Sequence, residues 1–304
     1  MYTVAVTGIT GKSGKAFLNN LIKHCDEFYN YHFIFVCRKK SAEYVSCFLE
    51  GQILSAEVII ADLAQPDSIE NVFSQPVDML FHIAGIYLTL NIVPIAVKYG
   101  VQDYVLVHTS GIYSKYKSAR CEYETIESKV RNILDGKNLT TLRPTMIYGD
   151  LEDGNVSTFI RMVDGFPIMP IINGAKYELQ PVWGNDLGKA YYQVLRNWDR
   201  TQNKEYVLSG KDSSELLEML RIIAERLHKM FRYFSVPFPI AYSGAVLLWG
   251  CSLGRIDYRE KVQRMVESRA YSHHEATLDF GYTPKSFSDG LKEELELYIR
   301  RKNK

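Results

Sequence analysis

Through the first half of the chain, short apolar runs alternate with segments whose apolar residues recur every three or four positions. Val4, Ala5 and Val6 form the first run, of the kind that fills a strand buried on both faces. Ala16, Phe17, Leu21 and Ile22 follow at helical spacing. The same alternation predicts strands over 32–37, 56–61, 77–85, 103–111 and 139–143. Between them it predicts helices over 66–73, 89–100 and 119–134, with Pro94 bending or starting the second of these. Such alternation argues for a parallel sheet with helices on both faces, and right-handed crossovers bring the carboxyl ends of its strands to one edge. From Asp150 onward the alternation loosens into loops rich in Gly, Asn and Pro. Two later pieces return to the sheet region: 177–182 with the helix pattern after it, and the strand pattern at 205–210. The C-terminal part is helical, with 213–229 its best amphipathic segment.

Between the first strand and the first helix stand Gly8, Gly11 and Gly14. A strand turning sharply into a helix needs one residue tolerant of unusual backbone angles, a bare backbone where a pyrophosphate approaches, and a small residue where helix meets strand. Thr10, Lys12 and Ser13 complete the turn, and the free N–H groups of the first helical turn face a diphosphate. The placement after an apolar strand and before an amphipathic helix predicts dinucleotide binding. The fold class that follows is α/β: a Rossmann doubly wound parallel sheet over 1–150, with a smaller, mostly helical C-terminal substrate domain over 151–304. Segments near 177–210 are expected to rejoin the sheet.

Composition narrows the function. The 304 residues carry a net charge of +1, from 36 Lys and Arg against 35 Asp and Glu, so no global field invites nucleic acid. The five cysteines are odd in number and lack metal-ligand spacing. They predict a reducing compartment and no structural metal, and adjacent His273 and His274 diverge too far on a helix to share one. The N-terminus runs straight into a strand, and a cytoplasmic location is expected. The second strand ends in Arg38, Lys39 and Lys40 where an acid would select NAD. An arginine there meets a 2′-phosphate, which favours NADP; a solvated basic loop is the alternative. Asp62 is either at the adenine or a helix N-cap. Ala84 and Gly85 let a sugar lie against the backbone or simply pack. Thr109 and Ser110 reach the same edge. The run 240–253 is nearly all apolar but too short to span a bilayer. It is expected to be a buried helix, with a homodimer contact or a shallow membrane-surface contact as the alternatives.

The order TGITGKSG, ADL, FHIAG, VHTSG and RPTMIYG, followed by LQPVWGNDLGKAYY and DFGYTPKSFSDGL, resembles the extended short-chain dehydrogenase/reductase family, the nucleotide-sugar epimerase and dehydratase type. The resemblance covers nearly the whole chain. It implies that Gly8, Gly11 and Gly14 hold the pyrophosphate, Arg38 the adenosine end, Asp62 and Leu63 the adenine, and Ala84 and Gly85 the nicotinamide ribose. Pro144 to Ile147 would lie near the nicotinamide.

The same resemblance implies a catalytic Ser or Thr after the fifth strand, filled here by Ser110 or Thr109, and a Tyr-x-x-x-Lys on the next helix. Tyrosine exchanges a proton with the reacting oxygen, and a lysine one turn on makes it a better base. Three placements compete. Tyr123 is followed one turn later by Glu127; Lys129 is preceded by Thr125; Tyr113 and Lys117 have the spacing but lie close to the fifth strand. Tyr123 suits the distance to Arg143 best, yet a glutamate beside it makes it a poorer base unless Lys115 or Lys117 reaches in. Two functions follow. One is an NAD(P)-dependent oxidoreductase, epimerase or dehydratase acting on a nucleotide sugar or a related small molecule by hydride transfer. The other is a non-catalytic NAD(P)-binding redox sensor or assembly protein on the same scaffold.

Overall fold

The computed structural model describes residues 1–116 and 118–303, so the expected Tyr113/Lys117 pair has its lysine outside the described residues. The expected apolar runs become strands β1 (Tyr2–Thr7), β2 (Tyr31–Cys37), β3 (Ala56–Ile60), β4 (Met79–His82), β5 (Asp103–Val107) and β6 (Asn138–Pro144). Short strands β7 (Ile147–Tyr148), β8 (Met169–Ile172), β9 (Glu178–Leu179) and β10 (Val182–Trp183) follow, then β11 (Glu205–Leu208), β12 (Ser214–Glu215) and β13 (Tyr233–Val236). Seven of them form one sheet in the order β11-β6-β5-β4-β1-β2-β3, with every pairing parallel. This is a doubly wound sheet whose strand order reverses between β1 and β4, the point at which such sheets open a crevice for a ligand.

The helices of the first half are α1 (Lys12–Lys23), α2 (Lys39–Leu49), α3 (Pro66–Ile69), α4 (Thr89–Lys98) and α5 (Arg120–Ile133). The second half has α6 (Val156–Gly165), α7 (Gly184–Arg196), α8 (Trp198–Thr201), α9 (Leu216–Arg226), α10 (Phe238–Cys251), α11 (Arg259–Arg264), α12 (His274–Phe280) and α13 (Phe287–Lys302). One apolar cluster packs α1 and α7 against one face of the sheet; another packs α4 and α5 against the opposite face. Val4 and Val6 enter the first cluster and Ala5 the second, because successive strand residues point to opposite faces. A third cluster, including Ile160, Leu220 and Leu291, joins α6, α9 and α13.

Of the segments expected to rejoin the sheet, 205–208 does so as the edge strand β11 beside β6, and α7 lies on α1, whereas 177–182 forms β9 and the start of β10, which pair with β12 and β7 in separate two-stranded sheets. Three local expectations change. Lys39 and Lys40 open α2, which buries Ala42 and Val45, so the basic stretch is a helix start and not only a loop. Pro94 lies inside α4. The apolar run expected to be a buried helix is α10, yet of its residues only Ala245 is buried, while Ile240 and Leu247 are 65% and 68% exposed. Aliphatic content identifies a helix that wants burial, not a helix that has found it within its own chain.

Candidate active site

The glycine turn is built by close approach. Gly8 leaves β1 with φ +76°, and a Cβ there would stand 2.6 Å from the backbone nitrogen of Ala84, so β1 and the end of β4 can be this close only around glycine. Gly14 sits where α1 crosses the turn, and a Cβ on it would meet the Gly8 carbonyl oxygen and the Ile9 Cα at 2.7 Å. Gly11 donates its N–H to the Gly8 oxygen at 3.1 Å. Beside this turn runs a groove of about 720 Å³, lined by Gly8, Thr10, Gly11, Ser13, Arg38, Asp62, Leu63, Ala84 and Gly85 among others. Nine of the residues expected at a dinucleotide thus share one wall.

Asp62 is not a helix cap: Gln65 occupies that position before α3, while the Asp62 carboxylate accepts the Ala64 N–H at 3.0 Å. Lys12 departs from expectation. Its side chain crosses Gly184, and its ammonium reaches Gly149, so it is directed to the 150–153 loop and not into the groove. Burial lowers its pKa, opposed by the charges of Asp150, Glu294 and Asp153. Glu294 is fully buried, and burial followed by the Asp153 carboxylate pushes its pKa up to about 8.

Beneath the groove, His82 is fully buried, with Nδ1 2.8 Å from the Thr7 hydroxyl and Nε2 3.2 Å from the Gly85 carbonyl. Burial lowers its pKa to about 4. The unfolded chain takes up this proton near pH 6.5 and the folded chain does not, so the imidazole withdraws stability as pH falls from about 6.5 to about 4, by up to about 1.4 kcal/mol per pH unit. The ring resonances of His82 are expected to stay unchanged between pH 8 and pH 5 in an NMR titration. A midpoint near 6.5 would contradict the buried, neutral placement.

At the carboxyl ends of β5 and β6 a second cavity, of about 400 Å³, is lined by Thr109, Ser110, Tyr123, Thr145, Ile147, Asp153, Gln180, Arg264, Arg269 and Tyr271 among others. The three residues expected to be catalytic therefore meet in one place, and Ile147 joins them; Pro144 ends β6 without lining either cavity. Thr109 Oγ1 accepts the Gly111 N–H at 3.0 Å, so its oxygen caps the short turn 110–113 and leaves Ser110 as the freer hydroxyl on the wall. Tyr123 is buried on the inner face of α5, its ring 5.6 Å from that of Tyr87. The Tyr123 phenol beside it, ahead of burial, raises the Tyr87 pKa.

The three Tyr/Lys placements separate by face. Thr125 and Lys129 are on the exposed side of α5, and Tyr113 is half exposed in the turn before it. Tyr123 and Glu127 share the buried side. Glu127 is not turned to the tyrosine: one carboxylate oxygen lies 3.0 Å from His108 Nδ1 and the other accepts from Arg143 Nη2 at 2.6 Å. Arg143 also donates to Glu205 at 2.6 Å, and Glu205 pairs with Arg131. Burial by itself would raise the Glu127 pKa, but the His108 and Arg143 hydrogen bonds and the arginine charge hold it below the usual carboxylate range. Lys115 has an exposed side chain, and its backbone N–H is anchored on Glu267 at 2.6 Å; Lys117 is outside the described residues.

Sequence reasoning missed the far wall. Arg264 and Arg269 each have a buried Nε without a hydrogen-bond partner among the described residues, and burial, then the charge of Arg264, lowers the Arg269 pKa to about 10. Buried glutamate Glu267 accepts from the Ser114 hydroxyl and the Lys115 N–H, both at 2.6 Å, and so ties this segment to the loop after β5. Gln180 accepts from the Tyr271 N–H and donates to the Gly210 carbonyl. No pattern in the chain marks these positions, because they are distant in sequence from the turn they face.

No family profile matches the chain. It is 28% identical over 144 residues to NADH dehydrogenase [ubiquinone] 1 alpha subcomplex subunit 9, mitochondrial, of Arabidopsis thaliana. That stretch takes in 47% of this chain and 35% of the relative, so the match spans about a third of the relative's length. Among solved structures it is similar to a dTDP-glucose 4,6-dehydratase from Streptomyces venezuelae with NAD bound (TM-score 0.71, 16% identity, 99% of this chain and 98% of that one). A UDP-glucuronic acid 4-epimerase from Bacillus cereus, in complex with UDP-glucuronic acid and NAD, gives 0.69 at 15% identity over 98% and 99% of the two chains. A UDP-glucose 4-epimerase from Thermotoga maritima with UDP-glucose gives 0.65 at 19% over 99% and 100%. With its seven parallel strands and glycine turn, the chain has the Rossmann-type fold shared by these nucleotide-sugar epimerase and dehydratase structures, as the motif order implied.

Proposed function

We propose that the chain is an extended short-chain dehydrogenase/reductase that binds a nicotinamide dinucleotide in the glycine groove and acts on an anionic carbonyl or hydroxyl substrate, a nucleotide sugar in first place. The observation that carries this reading is one cavity in which Ser110 and Tyr123 face Arg264 and Arg269 at the sheet edge that also bears the groove. The groove fits the group: its floor is bare backbone at Gly8 and Gly11, the N-terminus of α1 opens onto it, and Arg38 stands at the adenosine end. A bound nicotinamide supplies hydride exchange with the substrate carbon. This chain's own part is to position and to move a proton. Ser110 holds the reacting oxygen, and Tyr123, its ring packed against that of Tyr87, exchanges the proton with it. Arg264 and Arg269 neutralise the substrate's phosphates, and residues after 150 supply most of that wall. The three structures compared bind NAD or a nucleotide sugar, which supports the class of ligand.

Within that reading, Arg38, Lys39 and the absence of an acid at the end of β2 favour NADP. Calorimetric titration with NADPH, NADP, NADH and NAD is expected to show the phosphorylated forms binding more tightly. Arg38→Asp is expected to weaken them by about tenfold or more, roughly the loss of one charge-assisted hydrogen bond. Equal affinity for all four would assign NAD or NADP indifferently, and no binding of any form would overturn the proposal. Turnover is then sought with a panel of UDP- and dTDP-sugars.

A second reading, a dinucleotide-binding sensor or assembly subunit without turnover, is favoured by Glu127, which stands in the lysine position and is committed to Arg143 and His108. The Arabidopsis relative, named as a subunit of a subcomplex, is in keeping with it. The two separate by mutation: Tyr123→Phe and Ser110→Ala abolish function in an enzyme and leave it intact in a sensor, whereas Gly11→Asp abolishes it in both.

A further inference from the structure

The feature that the proposed chemistry does not use is α10. From Tyr233 to Gly254 the chain carries no Asp, Glu, Lys, Arg or His. Its helix spans 14 residues, about 21 Å at the α-helical rise, and no helix among the described residues is long and apolar enough to cross a membrane. It packs principally against α11, and Ile240 and Leu247 on it are 65% and 68% exposed, with Leu253 just beyond its end 88% exposed. The strand leading into it, β13, is paired with β8, and Met169 N–H bonds the Arg232 carbonyl, so exposed Phe166 and Ile168 join the same apolar stretch.

The flanks of this surface carry a net positive charge. From Lys229 to Arg264 there are six basic residues against Asp257 and Glu260, none of the six within the apolar run itself; Lys229 pairs with Asp164, Arg259 with Asp257, and Arg264, which lines the substrate cavity, approaches Glu260 at 3.9 Å, so the positive charge of the rim rests on Arg232, Arg255 and Lys261. Trp249 is held by the Arg259 guanidinium, 4.0 Å above its ring, and Tyr242 and Tyr258 lie nearby in the chain. Aromatic rings with a polar end, at the border between an apolar face and a basic rim, are the composition of a segment that lies in the headgroup layer. A second copy of the same chain would bring two basic rims together.

We infer that α10 and its flanks are an in-plane anchor for a bilayer surface bearing anionic lipid, with the aliphatic side chains entering the acyl boundary and the rim meeting headgroup phosphates. The whole chain is expected to sediment with vesicles of phosphatidylcholine containing about one third phosphatidylglycerol, more weakly with phosphatidylcholine alone, and less as salt is raised. The triple variant Ile240→Ser, Leu247→Ser, Leu253→Ser alters only exposed side chains and is expected to keep the wild-type unfolding midpoint while losing about tenfold or more of vesicle binding. Arg232→Glu with Arg255→Glu is expected to abolish the preference for the anionic vesicles. Absence of sedimentation with either vesicle overturns the anchor. So does a dimer in solution that the triple variant converts to a monomer without any vesicle binding, which would assign the face to a second copy.

Discussion

Gly14→Ala is expected to abolish dinucleotide binding in calorimetry and to lower stability by about 3 kcal/mol, the upper part of the range for overpacking. The atoms in the way are backbone: the Gly8 oxygen, the Ile9 Cα at 2.7 Å and the Ile9 carbonyl carbon at 2.8 Å. No rotamer change can clear them. Relief requires α1 to move off the turn, and that motion takes the N–H groups of the first helical turn away from the groove while loosening Phe17 and Leu21 from the core beneath the sheet. Gly165→Ala is the matched control. No heavy atom lies within 4 Å of its added Cβ, it stands in the last turn of α6, and the change is expected to be neutral or to stabilise by about 0.5–1 kcal/mol. If Gly14→Ala bound dinucleotide as the wild type does, the turn would not be the anion site.

How much of this was legible beforehand divides along chain distance. Val4 to Val6, the glycines and the strand ends at Ala84, Gly85, Thr109 and Ser110 are local patterns, each set by the geometry of one strand-turn-helix unit, and parallel topology then brings them to one edge. The preference for Tyr123 over the Lys129 placement rested on the spacing to Arg143 that the family resemblance implies, and the structure puts Tyr123 on the cavity wall with Lys129 on the outer side of α5. Three things were not legible. Arg264 and Arg269 face Ser110 because long-range contacts hold their segment: Glu267 ties it to the loop after β5, a contact spanning 153 positions, and the Arg269 and Tyr271 N–H groups bond the Glu178 carbonyl and Gln180. The Lys12 side chain follows the bare backbones of Gly184 and Gly149, which no local rule connects to the turn. For α10, apolar composition is the same for a buried helix and for one presented to a surface; only its neighbours distinguish them.

Glu127→Lys completes the Tyr-x-x-x-Lys spacing on paper, and it is expected to lower stability by about 3–5 kcal/mol with no gain in turnover. In the folded chain position 127 is 6% exposed and its carboxylate is shared between His108 and Arg143. An ammonium there faces the Arg143 guanidinium, itself buried, and leaves it with Glu205 as its remaining acidic partner. The charges at this point then add where they had cancelled, in surroundings that screen them poorly. The pH dependence carries a sign that checks the cause. Glu127 has a folded pKa below its ordinary 4.5, so its stabilisation is present above that value and is lost as pH falls through the depressed one. The gap between wild type and Glu127→Lys in denaturant unfolding is therefore largest near neutral pH and narrows in acid. Glu127→Gln, which keeps the shape and removes the charge, is expected to fall between the two. A lysine variant as stable as the wild type, with increased turnover of any sugar nucleotide, would show that the glutamate is a lost catalytic lysine; instability with the acid-dependent gap would show that β5, α5, β6 and β11 are joined by this carboxylate, and that proton transfer at Tyr123 must proceed without a lysine at its usual place.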